Sequence, residues 1–257
     1  MPRDTISKTF TVALLLCVVC SVLVSSAAVV LRPTQEVNKA LDKKRNILIA
    51  AGLYKEGIDI DAAYQSIEPK VLEFSTGEYV EGIDPASYDA RRAAINPATS
   101  QPTSDSERAG IKRRAKQASV YLVSKGDRLD KVILPVHGKG LWSTLYGFIA
   151  LDAADLTTIK GLVFYEHAET PGLGGEVDNP AWKALWIGKR AFDDTGKVRI
   201  SVIKGRVDPA DKAAKFKVDG LSGATITSRG VHNMLRYWLS ADGYGPYLAK
   251  LKTQGAA

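Results

Sequence analysis

Asp219-Gly220-Leu221-Ser222-Gly223-Ala224-Thr225-Ile226-Thr227 is the most informative stretch of the sequence, because it lies directly before a predicted helix. Apolar residues follow it at steps of three and four, the spacing of one helix face: Val231, Met234, Leu235, Trp238 and Leu239. A helix begins with backbone N–H groups that lack intrahelical partners, and its dipole is positive there. The pattern therefore predicts a helix start that can hold a phosphate without a lysine.

The side chains of this segment suit a bulky phosphorylated ligand. Gly223 and Ala224 let such a ligand approach the backbone closely, and Thr225 places a hydroxyl where its phosphate would lie. The hydroxyl could donate a hydrogen bond to the phosphate or carry it covalently. The simpler alternative is a glycine-containing turn before the helix. Under either interpretation we expect Thr227 or Ser228 to cap the helix.

A second segment, His167-Ala168-Glu169-Thr170-Pro171-Gly172-Leu173-Gly174-Gly175, lies between a predicted strand ending at Tyr165 and a predicted helix starting at Asn179-Pro180. Its glycines and proline expose backbone donors and allow close approach of a flat ligand. No Gly-Lys-Ser/Thr follows, so the loop is not a P-loop. We interpret His167 as a loop histidine with satisfied hydrogen bonds and not as a proton-transfer group.

A third segment, Gly138-Lys139-Gly140-Leu141-Trp142-Ser143-Thr144-Leu145-Tyr146-Gly147, precedes a predicted core strand. Its tryptophan has two interpretations. Trp142 either stacks near a ligand or is buried in the core.

These three segments resemble, in the same order, the signatures of the FMN-binding domain family. The resemblance implies one FMN, esterified through its phosphate to Thr225 by a dedicated flavin transferase. It also implies that the flavin ring lies against the glycine-rich loop. The cofactor-binding residues that follow from it are Thr225, Ser222, Gly223, Ala224, Asp219, Glu169, Thr170, Gly172, Leu173, Gly174 and Trp142. Leu173 would pack on the ring, and Glu169 and Thr170 would meet its polar edge.

The resemblance also implies a function. Anchored members of the family carry electrons through FMN in the sodium-pumping NADH:ubiquinone oxidoreductase, a bacterial inner-membrane complex of six subunits. A flavoprotein of the related Rnf complex is an alternative, and a flavin-free, membrane-anchored binding or assembly module is another. No Gly-x-Gly-x-x-Gly follows a predicted strand, so we expect the NADH site on another subunit. We expect no catalytic or metal-ligating residue in this chain.

The N-terminus predicts a membrane anchor. After a short tail, residues 1–8, Thr9 to Leu31 form an uncharged, apolar run of 23 residues, about 35 Å as a helix and enough for a bilayer core. A signal peptide cleaved near residues 25–28 is the alternative, but the run is longer than a usual signal. Lysines and arginines are denser after the run than before it. By the positive-inside rule this distribution would keep the C-terminal domain in the cytoplasm, although the rule weakens for large translocated domains. The family resemblance favours a periplasmic C-terminal domain, and we adopt that orientation.

Composition narrows the remaining classes. Both cysteines, Cys17 and Cys20, lie inside the apolar run, where we interpret them as small apolar residues. The chain has a net charge of +7, and its basic segment 108–116 lacks interleaved aromatics, so we expect a surface or docking segment and no nucleic-acid binding. We expect a helical and irregular membrane-proximal region over residues 32–117. This region contains a helix over 35–57, which continues from the membrane and has a second apolar turn at residues 47–51, and an irregular excursion over 84–117.

Residues 118–257 would then form the FMN-binding domain. Val120-Tyr121-Leu122-Val123 and Val132-Ile133-Leu134-Pro135-Val136 predict a hairpin around Gly126. Further strands are predicted over 146–151, 162–165 and 198–203, and a helix from Asn179 through Trp186. No regular βαβ alternation is present. The fold class is therefore α+β, with a mainly antiparallel sheet, packed helices and one preceding transmembrane helix.

Overall fold

A computed structural model describes residues 5–103 and 109–254 of the chain. Parts of several predictions lie outside the described residues. These are residues 1–4 of the tail, residues 104–108 of the membrane-proximal region and its excursion, with Arg108 of the basic segment among them, and residues 255–257 of the C-terminal domain. Contacts divide the chain into two units, Met1–Lys43 and Lys44–Ala257.

The first unit consists of the greater part of helix α1, Ile6–Ala51. An 18-residue window of α1 is apolar enough to cross a membrane, and none of that window is buried. The prediction that the membrane helix continues past residue 35 is confirmed, but the predicted end at residue 57 is wrong, because α1 ends at Ala51. Gly52 takes the left-handed conformation (φ 70°), and the Leu53 N–H donates to the Leu48 carbonyl at 2.9 Å. This arrangement is a common helix terminator.

The second unit is built on a six-stranded antiparallel sheet with the order β2-β1-β5-β6-β7-β8. Its strands are β1 Ile67–Glu73, β2 Glu78–Tyr79, β5 Gln117–Lys125, β6 Arg128–Lys139, β7 Thr144–Asp152 and β8 Ile159–Glu166. Two small two-stranded sheets pair β3 Ser100–Pro102 with β4 Arg113–Ala115, and β9 Ser201–Val202 with β10 Lys217–Val218. The predicted hairpin around Gly126 and the α+β class are confirmed.

Each face of the large sheet is covered by helices. The remaining helices are α2 Ile60–Tyr64, α3 Ala90–Ile95, α4 Pro180–Ala184, α5 Thr225–Trp238 and α6 Gly245–Thr253. α5 and α6 bury their apolar residues with one sheet face, and Ile47 and Leu48 of α1 lie in the core of the other. The predicted apolar face of α5 is buried at all five of its positions.

Several element predictions are wrong. β1 lies in the region predicted to be helical and irregular. Pro69 obscured it, but the proline is tolerated because β2 pairs only with the far end of β1. α3, β3 and β4 lie in the predicted excursion. The strand predicted over 198–203 shortens to β9. The helix predicted to start at Asn179-Pro180 does start there, with Asn179 as its N-cap, but it ends at Ala184 instead of Trp186.

Candidate functional site

The site is centred on the start of α5, where Thr225 is the first helical residue. Ala224 is the N-cap residue, and no side chain caps the helix. The N–H groups of the first turn are therefore available to an external anion. Thr225 is exposed, as are Ser222 and Gly223 before it. Its hydroxyl can thus be reached from solvent beside these N–H groups.

Thr227 and Ser228 do not cap α5, so that prediction is wrong. The helix begins at Thr225, which places these residues inside the first turn. The Thr227 hydroxyl is buried and donates to Glu169 Oε2 at 2.6 Å. The Ser228 hydroxyl is also buried, and it accepts from the Leu221 N–H at 2.9 Å. Both hydroxyls are engaged within the protein.

The buried carboxylate of Glu169 joins the three sequence segments. Besides the Thr227 hydroxyl, it accepts from three successive backbone N–H groups, those of Leu141, Trp142 and Ser143, at 2.9–3.1 Å. The Ser143 hydroxyl donates to it at 3.3 Å and accepts from the Ala168 N–H at 2.8 Å. These donors occupy the lone-pair positions at which a carboxylate accepts hydrogen bonds. A direct contact between Glu169 and a flavin stays a prediction, and the geometry gives this residue a positioning role.

Two glycines make room for this carboxylate. A Cβ at Gly140 would lie 2.6 Å from Glu169 Oε1, and one at Gly174 would lie 2.6 Å from Thr227 Oγ1. Burial alone raises the pKa of Glu169, but its hydrogen bonds outweigh this effect and lower the pKa below the ordinary value. Glu169 is therefore ionised at neutral pH.

Each of the three segments that meet at Glu169 carries exposed apolar side chains. Leu173 is 45% exposed and packs against Gly223, where a Cβ would lie 2.9 Å from Leu173 Cδ2. Trp142 is 68% exposed, so the alternative of a buried core tryptophan is wrong. Leu141 and Ile226 are exposed as well. Large apolar side chains are costly to expose, and their grouping is typical of a ligand site.

Thr225 also lines a cavity of about 390 Å³. Lys204 and Arg229 line it, together with Thr225, Gly205 and Gly220. Neither cation was predicted from the sequence, because the helix start alone was expected to hold the phosphate. Arg229 could have been found, because it lies one helical turn after Thr225. Lys204 is distant in sequence, and no local pattern places it here.

The remaining predicted residues are placed as follows. The Asp219 carboxylate accepts from the Val207 N–H at 2.9 Å, and its carbonyl accepts from Trp182 Nε1 at 2.9 Å, so this residue holds the loop before α5. Thr170 and Gly172 are placed in the loop that carries Leu173.

His167 lies 2.8 Å from Asp178 through Nε2, and its Nδ1 accepts from the Glu169 N–H at 3.2 Å. It is the satisfied loop histidine that the sequence predicts.

Comparison with known proteins agrees with this geometry. Residues 140–240 match the model of the FMN-binding domain family, which covers all three segments apart from residues 138–139. The fold and site thus define a protein of the FMN-binding domain class. The chain is 49% identical over 255 residues to the C subunit of the Na(+)-translocating NADH-quinone reductase of Pseudomonas aeruginosa, covering 97% of each chain. It is 46% identical to that of Haemophilus ducreyi, covering 99% of this chain and 98% of the relative.

The chain therefore belongs to the NqrC family, the C subunits of Na(+)-translocating NADH-quinone reductases. Two solved structures share its fold. The crystal structure of Shewanella oneidensis NqrC has a TM-score of 0.78 and 38% identity, covering 84% of this chain and 99% of that one. The corresponding protein from Parabacteroides distasonis has a TM-score of 0.65 and 32% identity, covering 85% and 96%.

Proposed function

We propose that this chain is an electron-carrying subunit of a sodium-translocating NADH:quinone reductase, and that it carries one FMN esterified to Thr225. The observation that carries this proposal is the difference between neighbouring hydroxyls. Thr225 is exposed at an uncapped helix start, whereas Thr227 and Ser228 are buried and hydrogen-bonded. Only an exposed hydroxyl can be reached by a modifying enzyme, which excludes Thr227 and Ser228. Ser222 is exposed as well, but it lies before the helix, whereas Thr225 is the first helical residue and is therefore favoured as the acceptor.

The residues around Thr225 suit the two ends of FMN. The phosphodiester would lie at the first turn of α5, with Lys204 and Arg229 in the adjoining cavity to balance its charge. The ring would lie among Leu141, Trp142, Leu173 and Ile226, the exposed apolar side chains of the site. FMN itself supplies one- and two-electron chemistry, and the protein supplies position and electrostatics. Glu169 positions the ring-facing loops by holding the Leu141–Ser143 backbone and Thr227 together.

The rest of the proposal concerns the surroundings of this site. We place α1 in the bacterial inner membrane as a single anchor, with residues 118–257 as the FMN-binding domain in the periplasm and residues 32–117 as the membrane-proximal region. The partners would be five sister subunits, for six in total, and a flavin transferase. The exposed, apolar window of α1 and the family membership support this placement. A phosphatase fused to the C-terminus tests it, because the reporter is active only in the periplasm.

Covalent attachment is tested by flavin fluorescence on a denaturing gel, after expression with the flavin transferase. We expect a fluorescent band from the unaltered chain, from Thr225→Ser and from Ser222→Ala, and a dark band from Thr225→Ala. Fluorescence that survives Thr225→Ala would show another acceptor. A colourless native protein, without flavin absorbance, would instead support a flavin-free assembly module.

A further inference from the structure

A second cavity, of about 290 Å³, lies further along α5 and shares His232 with the cavity beside Thr225. We call the two cavities together the α5 groove. Six cationic side chains line it: Lys197, Arg199, Lys204, Lys217, Arg229 and Arg236. Among the residues that the structure describes, no carboxylate lines either cavity. The groove is therefore strongly positive.

Most of this charge is not balanced by neighbouring acids. Lys217 pairs with Asp211 at 2.6 Å, and Arg199 lies 4.0 Å from Asp193 at the limit of an ion pair. Within residues 5–103 and 109–254, the other four cations form no ion pair: Lys197, Lys204, Arg229 and Arg236. Concave walls concentrate the field of such charges and raise the local concentration of anions.

His232 adds an unsatisfied polar atom at the centre of the groove. Its Nδ1 is buried and has no hydrogen-bond partner in the described part of the chain. Burial, and secondarily Arg236, lower the pKa of His232, so the ring is neutral at pH 7. Buried polar atoms almost always have a partner, so Nδ1 marks an incomplete set of hydrogen bonds at the wall that the two cavities share.

We propose that the α5 groove is a binding site for a compact polyanion of the oligophosphate class, such as pyrophosphate or the phosphate chain of a nucleotide. Arg229, His232 and Arg236 lie at i, i+3 and i+7 on one helix face and span about 10 Å. A single carboxylate would balance only one of the four unpaired positive charges, whereas an oligophosphate brings several negative charges in a small volume. Arginine forks suit phosphate oxygens. A flat membrane surface could not enter the two cavities.

This inference rests on the chain itself and does not require flavin attachment. Thr225 lines the cavity nearer to the helix start, so a phosphoester on Thr225 would occupy part of the same space. We therefore expect the chain prepared without flavin transferase to bind pyrophosphate more tightly than the flavin-loaded chain. If Thr225 accepts no flavin, the unloaded chain still tests the groove.

Calorimetric titration of the full chain with pyrophosphate, in detergent at constant ionic strength, tests the site. We expect one pyrophosphate per chain, and about tenfold weaker binding in both Arg229→Gln and Arg236→Gln, since each loses a charge-assisted hydrogen bond. The matched control is Arg128→Gln, an exposed arginine at the start of β6 that lies outside the groove and changes the net charge equally. Its affinity should stay within about twofold of the unaltered chain.

Three results would overturn the proposal. The first is no binding, and the second is equal weakening in Arg128→Gln and Arg236→Gln, which would show nonspecific attraction. The third is tighter binding of a glutamate peptide of matched charge, which would identify an acidic protein segment as the ligand. Melting temperatures of the variants near that of the unaltered chain will establish that each variant is folded.

Discussion

At the scale of single residues, the carboxylate of Glu169 is the group on which the site depends most. It accepts hydrogen bonds from three backbone N–H groups and two hydroxyls, which belong to two other segments of the chain. Buried donors that lose their acceptor destabilise a protein more than an average hydrogen bond stabilises it. Loss of this one carboxylate would therefore disturb all three sequence segments at once.

We expect Glu169→Ala to lower the free energy of unfolding by about 3 kcal/mol, because several buried donors lose their acceptor at once. Glu169→Gln keeps one acceptor oxygen and should cost about 1–2 kcal/mol. Denaturant unfolding monitored by tryptophan fluorescence measures both. Glu81→Gln, at an exposed glutamate without an ion pair among the described residues, is the control and should be neutral. An equal effect at both glutamates would refute the special position of Glu169.

The same carboxylate gives a pH dependence of definite sign. The pKa of Glu169 is lowered in the folded protein, so its contribution is complete above the ordinary glutamate pKa and is lost as pH falls through the lowered value. The stability difference between the unaltered chain and Glu169→Gln should thus be largest near pH 7 and should shrink below about pH 4. A difference that grows on acidification would contradict this linkage.

Gly223 allows a separate test of the contact with Leu173. Gly223→Ala combines a left-handed backbone (φ 71°) with a Cβ only 2.9 Å from Leu173. Gly196→Ala is a matched control, because Gly196 has φ 80° and no atom within 4 Å of its Cβ position. Both variants should lose about 1–2 kcal/mol of stability from the backbone conformation. Only Gly223→Ala should also reduce flavin attachment, measured as gel fluorescence per mole of protein.

Some of the positions in the candidate site could be predicted from the sequence. Thr225 and Leu173 lie in short local motifs, so their positions relative to the helix start and the loop could be inferred from the chain alone. The partners of Glu169 could not, because Ser143 and Thr227 are 26 and 58 residues away from it in sequence. Only the pairing of strands and the packing of α5 bring them together.

At the scale of elements, the position of Thr225 depends on how closely α5 packs on β6. A Cβ at Gly138 of β6 would lie 2.7 Å from Met234 Cβ of α5. A Cβ at Gly230 of α5 would overlap the carbonyl oxygen of Lys139. Glycines at both contacts thus set the distance between helix and strand. The apolar periodicity predicted which face of α5 is buried, but it carries no information on this distance.

Gly230→Ala tests this packing against helix propensity. Alanine favours a helix over glycine by about 1 kcal/mol, so propensity alone predicts a more stable protein. The overlap with backbone at Lys139 should outweigh this gain and give a net loss of about 1–3 kcal/mol, together with less flavin attachment as Thr225 moves. Arg236→Ala, at an exposed position of the same helix, is the control for stability. A higher melting temperature of Gly230→Ala would show that the helix can move away without cost.

At the scale of the whole molecule, the division after Lys43 does not coincide with the end of α1. The last residues of α1 belong to the core of the second unit, where Ile47, Leu48, Ala50 and Ala51 are buried. The uncharged run predicted the anchor from composition alone. The apolar turn at residues 47–51 predicted that the helix continues from the membrane, but its burial against the sheet could not be predicted, because that requires the partner strands to be known.

Two shortened chains test this boundary. A chain of residues 44–257 retains the buried end of α1 and should be folded, monomeric without detergent, and flavinylated by a transferase in the same compartment. A chain of residues 52–257 lacks Ile47 and Leu48 and should lose about 4 kcal/mol or more, because the apolar face of the sheet is exposed. Size-exclusion chromatography and melting curves compare the two. Equal melting temperatures would show that the end of α1 contributes nothing to the core. Aggregation of the longer chain would locate further exposed apolar surface outside the anchor.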